Sequence, residues 1–255
     1  MFRVVIPARF ESSRLPGKVL LMIGGRPMLH WVCDQARACG AAQVVVATDD
    51  ERIEAAARQA GVECVRTSPR HLSGTDRIAE TVRRLGWAPE ELVVNLQGDE
   101  PLMPPVLIRQ VAQLLVDHPD ADIATLASPV TSASEFLDPN AVKVVLDEEG
   151  RAMLFSRAPI PWDRDGAIGG VPGPDSHFGA LRHIGLYAYR VRSLLRVAQL
   201  PPGQLELREK LEQLRALAHG MQIRVAIAQA RPGVDVNTPE DLVRIRAVLE
   251  APATN

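Results

Sequence analysis

Arg9, Arg14 and Lys18 fall within the twelve-residue segment Pro7–Lys18 (PARFESSRLPGK), directly after the apolar run Val4, Val5, Ile6. Cations at a first strand-to-helix junction have two readings: a solvated basic loop, or a cradle for a polyphosphate, because anions gather where strands end in α/β proteins. Pro16-Gly17-Lys18 invites comparison with a Walker A loop, and the comparison fails. That motif needs Gly where Ser12 stands and Ser or Thr where Val19 stands. Phosphates would have to be met by the Arg14 and Lys18 side chains and by turn amides near Gly17. One unit-charge pair at about 4 Å is worth about 4 kcal/mol at an effective dielectric of about 20, before desolvation.

Two acidic loops could complement those cations. Asn95-Leu96-Gln97-Gly98-Asp99-Glu100-Pro101 ends an apolar strand in a glycine turn. There Asp99 either caps the turn or holds Mg²⁺, a hard ion that takes oxygen ligands and shares itself with substrate phosphates. Val234–Asp241 (VDVNTPED) gives Asp235 a similar choice, between a role at the start of the following helix and a second carboxylate for the same metal. Ser73-Gly74-Thr75-Asp76-Arg77 is either a plain helix start or a turn whose hydroxyls and amides bind a ribose or phosphate. His183 lies on an apolar strand, where a satisfied core imidazole is the simpler reading.

These loops need elements to hold them. Strand patterns at Val4–Ile6, Val44–Ala47 and Leu92–Leu96 alternate with helical patterns at Leu29, Val32, Cys33, Ala36 and at Ile53, Ala56, Ala57, Ala60. A further helix is predicted through Leu107, Val111, Leu114 and Leu115. The alternation predicts an α/β fold, a mostly parallel central sheet flanked by helices. From about residue 130 the character changes: Ala141–Leu146, Ala152–Phe155 and His183–Tyr189 read as strands. A Gly/Pro-rich loop from Asp163 to Gly179 lies between them, expected to move or to close over a ligand. Glu206–Ala218 reads as one helix and Gln222–Ala228 as a strand. Thr238-Pro239-Glu240-Asp241 reads as a helix start over Leu242, Ile245 and Leu249. The expected organisation is one structural domain: an α/β core over 1–130, a β-rich excursion over 131–200 and a return to the core over 201–255.

Bulk composition narrows the function. The chain has 255 residues, with 29 Lys+Arg against 31 Asp+Glu and a net charge of -2. That balance argues against sequence-independent nucleic-acid binding, which draws on a basic excess. Without a basic n-region and apolar stretch at its start, or an apolar run of membrane-spanning length, the chain is expected to be cytoplasmic, with no membrane insertion. Cys33, Cys39 and Cys64 show no CxxC spacing, so neither a disulfide framework nor a cysteine zinc site is expected.

The motifs PARFESSRLPGK, ATD (47–49), SGTDR (73–77), NLQGDEP (95–101), NAVKVV (140–145), FSRAPIPWDRD (155–165), RHIGLYAYR (182–190), LEQLR (211–215) and VDVNTPEDL (234–242) occur in order. Together they resemble the 3-deoxy-manno-octulosonate (Kdo) cytidylyltransferases, over nearly the whole chain. The resemblance implies a Rossmann-like nucleotidyltransferase fold whose excursion serves sugar binding and dimerisation. It implies transfer of CMP from CTP to the anomeric hydroxyl of Kdo, releasing pyrophosphate for lipopolysaccharide synthesis, and it implies a homodimer. It places Arg14 and Lys18 on the leaving pyrophosphate, and Asp99 and Asp235 on Mg²⁺. Nucleotide contacts fall to Ala8, Arg9, Thr48, Ser73, Arg77 and Gln97. Sugar contacts fall to Gln97, Arg157, His183, Glu212 and Gln213. Phe10 and Glu11 stand where Tyr and Ala are usual, and Ala188 where Gly is common.

Two other readings compete. One is a cytidylyltransferase for a related acidic sugar, an 8-amino-Kdo or a sialic acid; FSRAPIPWDRD and LEQLR weigh against the sialic acid. The other is a non-catalytic nucleotide-binding regulator on the same fold, against which the full charge set of Lys18, Asp99 and Asp235 speaks.

Overall fold

Val4 and Ile6 point to one side of strand β1 (Phe2–Pro7) and Val5 to the other, and all three are fully buried. A strand covered on both faces needs apolar residues at successive positions, which explains the unbroken run. The computed structural model describes residues 1–11, 15–71, 73–166, 172–173 and 175–250. After β1 come a 3-10 turn (Lys18–Leu20), the short strands β2 (Met22–Ile23) and β3 (Arg26–Pro27), α1 (Met28–Ala38), β4 (Gln43–Thr48) and α2 (Glu51–Gln59). Then follow β5 (Glu63–Arg66), α3 (Gly74–Arg84), β6 (Leu92–Asn95), α4 (Pro105–Asp117), β7 (Ile123–Pro129) and α5 (Ala133–Leu137). The chain continues through β8 (Lys143–Leu146), β9 (Ala152–Ser156), β10 (Leu181–Arg190), α6 (Val191–Val197), α7 (Gln204–Glu209), α8 (Gln213–Ala218), β11 (Ile223–Ile227) and α9 (Pro239–Leu249).

The expected α/β sheet is present, in the order β11-β7-β10-β6-β1-β4-β5. β1 pairs in parallel with both β4 and β6, so the strand order reverses direction around β1. Such a switch point opens a crevice at the strands' carboxyl ends. The loops after β1 and β6 therefore face each other. One core layer packs α1, α2, α4 and α9 on one face through Leu29, Val32, Ile53, Leu107, Val111 and Ile245. The other packs α3, α6 and α8 through Ile78, Val82, Leu194, Val197 and Leu214. Each such side chain contributes about 1.5–3 kcal/mol of burial.

Three features differ from the sequence expectation. First, the 131–200 segment divides: α5, β8 and β9 form an annex, whereas β10 runs antiparallel between β6 and β7 in the middle of the sheet. Its buried Leu186 and Ala188 suit a central strand. Second, β7 forms over Ile123–Pro129, where Thr125 and Ser128 break the apolar run that marks a buried strand. Third, the single helix expected over Glu206–Ala218 is two. Lys210 adopts a left-handed φ of 55°, and the Glu209 carbonyl accepts Arg157 Nε at 2.7 Å rather than continuing a helix. The Asp163–Gly179 loop falls partly outside the described residues.

Candidate active site

Gly17 precedes the 3-10 turn with φ 68°, and a Cβ there would lie 2.8 Å from the Phe10 ring, so the sharp turn requires glycine. The turn aims Lys18 across the crevice. Its ammonium ion-pairs with Asp99 Oδ2 and donates to Val236 O at 3.2 Å and to Asn237 Oδ1 at 3.3 Å. Val236 N–H donates to Asp99 O at 2.9 Å, so the loops after β1 and β6 and the segment before α9 are joined at one point. Asn237 Nδ2 in turn donates to Asp235 Oδ2. The result is a chain of contacts, Asp99–Lys18–Asn237–Asp235, linking the two candidate metal carboxylates.

The structure shows which local contacts these loop residues make. Asp99 pairs its carboxylate with Lys18 and, among the described residues, accepts no turn amide. Asp235 takes no part in the α9 cap, which is a capping box between Thr238 and Asp241 with Pro239 at the first position. Ser73 is the α3 cap, its hydroxyl accepting Asp76 N–H at 3.1 Å, and it also lines the crevice.

A cavity of about 400 Å³ is lined by Ala8, Arg9, Lys18, Ser73, Arg77, Gln97, Asp99 and Glu212, with His71 and Asn237 beside them. Arg77 is buried, pairs with Asp49 at 3.2 Å and donates to Thr67 Oγ1, so its guanidinium is fixed rather than free to swing. Thr48 does not line this cavity. It is fully buried at the end of β4, where its hydroxyl accepts Asp50 N–H at 3.2 Å. Phe10 packs beneath the Arg52 guanidinium, 3.3 Å from ring centre to Cζ. Arg14 lies outside the described residues.

The residues expected to contact the sugar divide among three adjoining cavities. Glu212 and Gln213 line one of about 260 Å³ with Asn95, Gln97, Gly185 and Tyr187. His183 lines one of about 320 Å³ with Gln97, Asp99, Glu100, Arg182 and Asp235. Arg157 lines a larger one of about 1150 Å³ with Asn140, Arg182, Asp235 and Asn237. Gln97 reaches the cavity of about 400 Å³ and the first two of these, and its Nε2 donates to Asn95 Oδ1 at 3.1 Å. Burial and the Arg182 charge push the His183 imidazole down to about 3, so it is neutral. Burial pushes the Glu212 carboxyl up, against hydroxyls of Thr75 and Ser73 that pull it down.

Several residues were not singled out from sequence. Glu209 accepts Ser156 Oγ and Arg157 N–H, each at 2.7 Å, and so anchors Arg157 to the α7–α8 corner. Glu100 is a buried carboxyl beside Asp99 and Asp235; burial, then those two charges, raise it well above the usual range, and its Oε2 has no hydrogen-bond partner among the described residues. Only its place in the QGDEP loop could have pointed to it. Among the described residues no group of three or more His, Cys, Asp or Glu could hold a metal by itself. Mg²⁺ does not ask for one: one or two carboxylates suffice when water and substrate oxygens complete the octahedron. Asp99 and Asp235 on one cavity fit that donor set.

A family model described as Cytidylyltransferase matches residues 3–223. The 3-deoxy-manno-octulosonate cytidylyltransferase of Halorhodospira halophila is 54% identical over 250 residues, covering 98% of this chain and 97% of the relative. This chain belongs to the 3-deoxy-manno-octulosonate cytidylyltransferase family. Family members of the same name from Thioalkalivibrio sulfidiphilus and Vibrio parahaemolyticus are each 51% identical, over 98% and 97% of this chain and 99% and 98% of theirs. A solved CMP:2-keto-3-deoxy-manno-octonic acid synthetase complexed with CTP superimposes with a TM-score of 0.88 at 39% identity, covering 98% of this chain and 99% of that one. A cytidylyltransferase from Leptospira borgpetersenii, 16% identical with a TM-score of 0.63 over 98% of this chain and 87% of its own, shares the fold.

Proposed function

We propose that this chain transfers CMP from CTP to the anomeric hydroxyl of Kdo, releasing pyrophosphate. The observation that carries the reading is the crevice itself. Lys18 and Arg77 bring positive charge to a cavity that joins, through Gln97 and Asp99, the cavity holding His183 and Asp235. A polyanion on one side and a hydroxylated acid on the other would meet near Asp99.

The chemistry follows from charge. The anomeric oxygen bonds to the α-phosphorus, the bond from that phosphorus to the α,β-bridging oxygen breaks, and negative charge collects on the departing pyrophosphate. Lys18, on the wall of the first cavity, is the cation available to meet that charge, and Arg14 is assigned the same role by family resemblance. Asp99 and Asp235 would hold Mg²⁺. When bound, the ion neutralises phosphate charge and makes a hydroxyl it touches more acidic. The fixed guanidinium of Arg157 suits the sugar carboxylate, since a planar fork matches two oxygens. Positioning and electrostatics supply the catalysis, as in phosphoryl transfer generally. No side chain is assigned as general base.

Association into a homodimer through the annex is part of this reading. β9 is an edge strand with Met153 63% exposed, and Trp162 and Phe178 are exposed in the residues that follow it. Light scattering should return twice the chain mass, and Met153→Glu should lower it. No described helix is long and apolar enough to cross a membrane, and the enzyme is proposed to act in the cytoplasm on dissolved substrates. The functional test is pyrophosphate release across four nucleotides with Kdo, 8-amino-Kdo and a sialic acid. Release confined to CTP with Kdo supports the reading; release with another pair and none with this one overturns it.

A further inference from the structure

Thr125 is fully buried in the middle of β7, opposite the place where the β7–β10 register breaks between Ile184 and Tyr187. Its hydroxyl oxygen lies 3.0 Å from Ile184 O, 2.8 Å from Leu186 O and 2.9 Å from His183 Nε2. A hydroxyl has one proton, and carbonyl oxygens can only accept. The break in the ladder turns both carbonyls toward Oγ1, at 3.0 and 2.8 Å, and each can only accept. The Thr125 proton therefore belongs to the carbonyls. What remains at Oγ1 is lone-pair capacity, so the hydrogen bond to His183 must run from the ring: Nε2–H donates to Thr125.

That fixes the imidazole. Phe155 meets the ring edge-on at 5.0 Å and Tyr187 lies 5.2 Å away on a tilted plane, so the ring is held by packing as well as by the hydrogen bond. A flipped ring would set a carbon against the Thr125 oxygen. Nδ1 is then left with a bare lone pair. It has no hydrogen-bond partner among the described residues, and His183 lines the cavity shared by Gln97, Asp99, Asn140, Arg182 and Asp235. The side chain is neutral there, so it cannot serve as a cationic partner for the sugar carboxylate.

We infer that Thr125 is a positioning residue that holds His183 as its Nε2–H tautomer, so that Nδ1 accepts a hydrogen bond from a hydroxyl of the bound sugar acid. This rests on the reading of the cavity as the sugar side of the crevice. It makes His183 selective for a donor group on the substrate and leaves carboxylate recognition to arginine. A neutral hydrogen bond that is lost or misdirected costs about a factor of ten in binding.

The test combines a spectrum with kinetics. Nitrogen-15 imidazole correlation spectra of the free enzyme should show a protonated Nε2 and a bare Nδ1 at His183. Addition of Kdo should move the Nδ1 resonance upfield, as expected of an acceptor. Thr125→Val, which keeps the shape and removes the hydroxyl, should shift the tautomer toward Nδ1–H. It should raise the Kdo KM about tenfold while leaving the CTP KM within about twofold; Thr125→Ser should restore the tautomer. A wild-type spectrum with Nδ1–H dominant overturns the proposal even if Thr125→Val fails to fold. So does an altered tautomer in Thr125→Val with an unchanged Kdo KM. Wild-type enzyme that releases no pyrophosphate from CTP with Kdo would overturn the functional reading instead, and the free-enzyme spectra would still decide the tautomer.

Discussion

Glu209 grips Arg157 at two places: its carboxylate accepts the Arg157 backbone N–H and its carbonyl accepts Nε, each at 2.7 Å. Pro139 O takes Nη1 at 2.8 Å, so the guanidinium is set before any ligand arrives. Glu209→Ala keeps the carbonyl that holds Nε but removes the carboxylate that holds Arg157 N–H and Ser156 Oγ, so the backbone that carries Arg157 loosens. The Kdo KM should rise about tenfold, because a hydrogen bond to a charged group is worth about 1.5–3 kcal/mol. The CTP KM should stay within about twofold. Initial rates with each substrate varied in turn check this, and equal loss for both substrates would contradict it.

Lys18→Ala removes the cation proposed to face the leaving group. A loss of about a hundredfold or more in kcat is expected, in line with removing one preorganised electrostatic contact. The Kdo KM should change little. A defect confined to that KM would place Lys18 elsewhere in the reaction.

His183 makes acid stability a test of burial. Its folded pKa, about 3, lies below the ordinary 6.5, so the unfolded chain takes up a proton that the folded chain refuses. The contribution to stability is whole above pH 6.5 and is lost as pH falls toward 3. Between pH 6.5 and about pH 4, the urea midpoint of the wild type should fall more steeply than that of His183→Gln. Parallel curves would mean that the imidazole is solvated.

Arg215 and Glu206 form a bidentate pair with Nε–Oε2 at 2.9 Å and Nη2–Oε1 at 2.5 Å, each side chain nearly buried. The pair ties α7 to α8, and with them Glu212 and Gln213. Arg215→Met strands a buried carboxylate and should cost about 3–5 kcal/mol, whereas Glu206→Leu with Arg215→Met should recover most of it. Urea unfolding of the two variants decides between a structural pair and a dispensable one.

What could be read from sequence follows a physical line. Runs such as Val4–Ile6 and Leu92–Asn95 carry their strand signal locally, and a glycine turn after each marks a strand-end loop, so Lys18 and Asp99 were visible. Asp235 was visible as a carboxylate just before a capped helix. Glu209 and Thr125 were not, because their roles depend on which strands become neighbours. β10 enters the sheet between β6 and β7, and no local pattern signals that. The break at Lys210 was hidden for the same reason. Leu, Glu, Lys and Arg all favour helix, and a tertiary hydrogen bond from Arg157 overrides them. The separate cavities of the sugar-side residues likewise follow from the annex folding beside the main sheet.

The most direct test of the central claim is pyrophosphate release from CTP and Kdo by Asp99→Asn and Asp235→Asn, with Mg²⁺ affinity of each variant measured calorimetrically in the presence of CTP. Both substitutions should abolish release and weaken Mg²⁺ binding while the fold persists. Near-normal Mg²⁺-dependent turnover in either variant would contradict the assignment of the crevice between Lys18, Asp99 and Asp235 as the site of transfer.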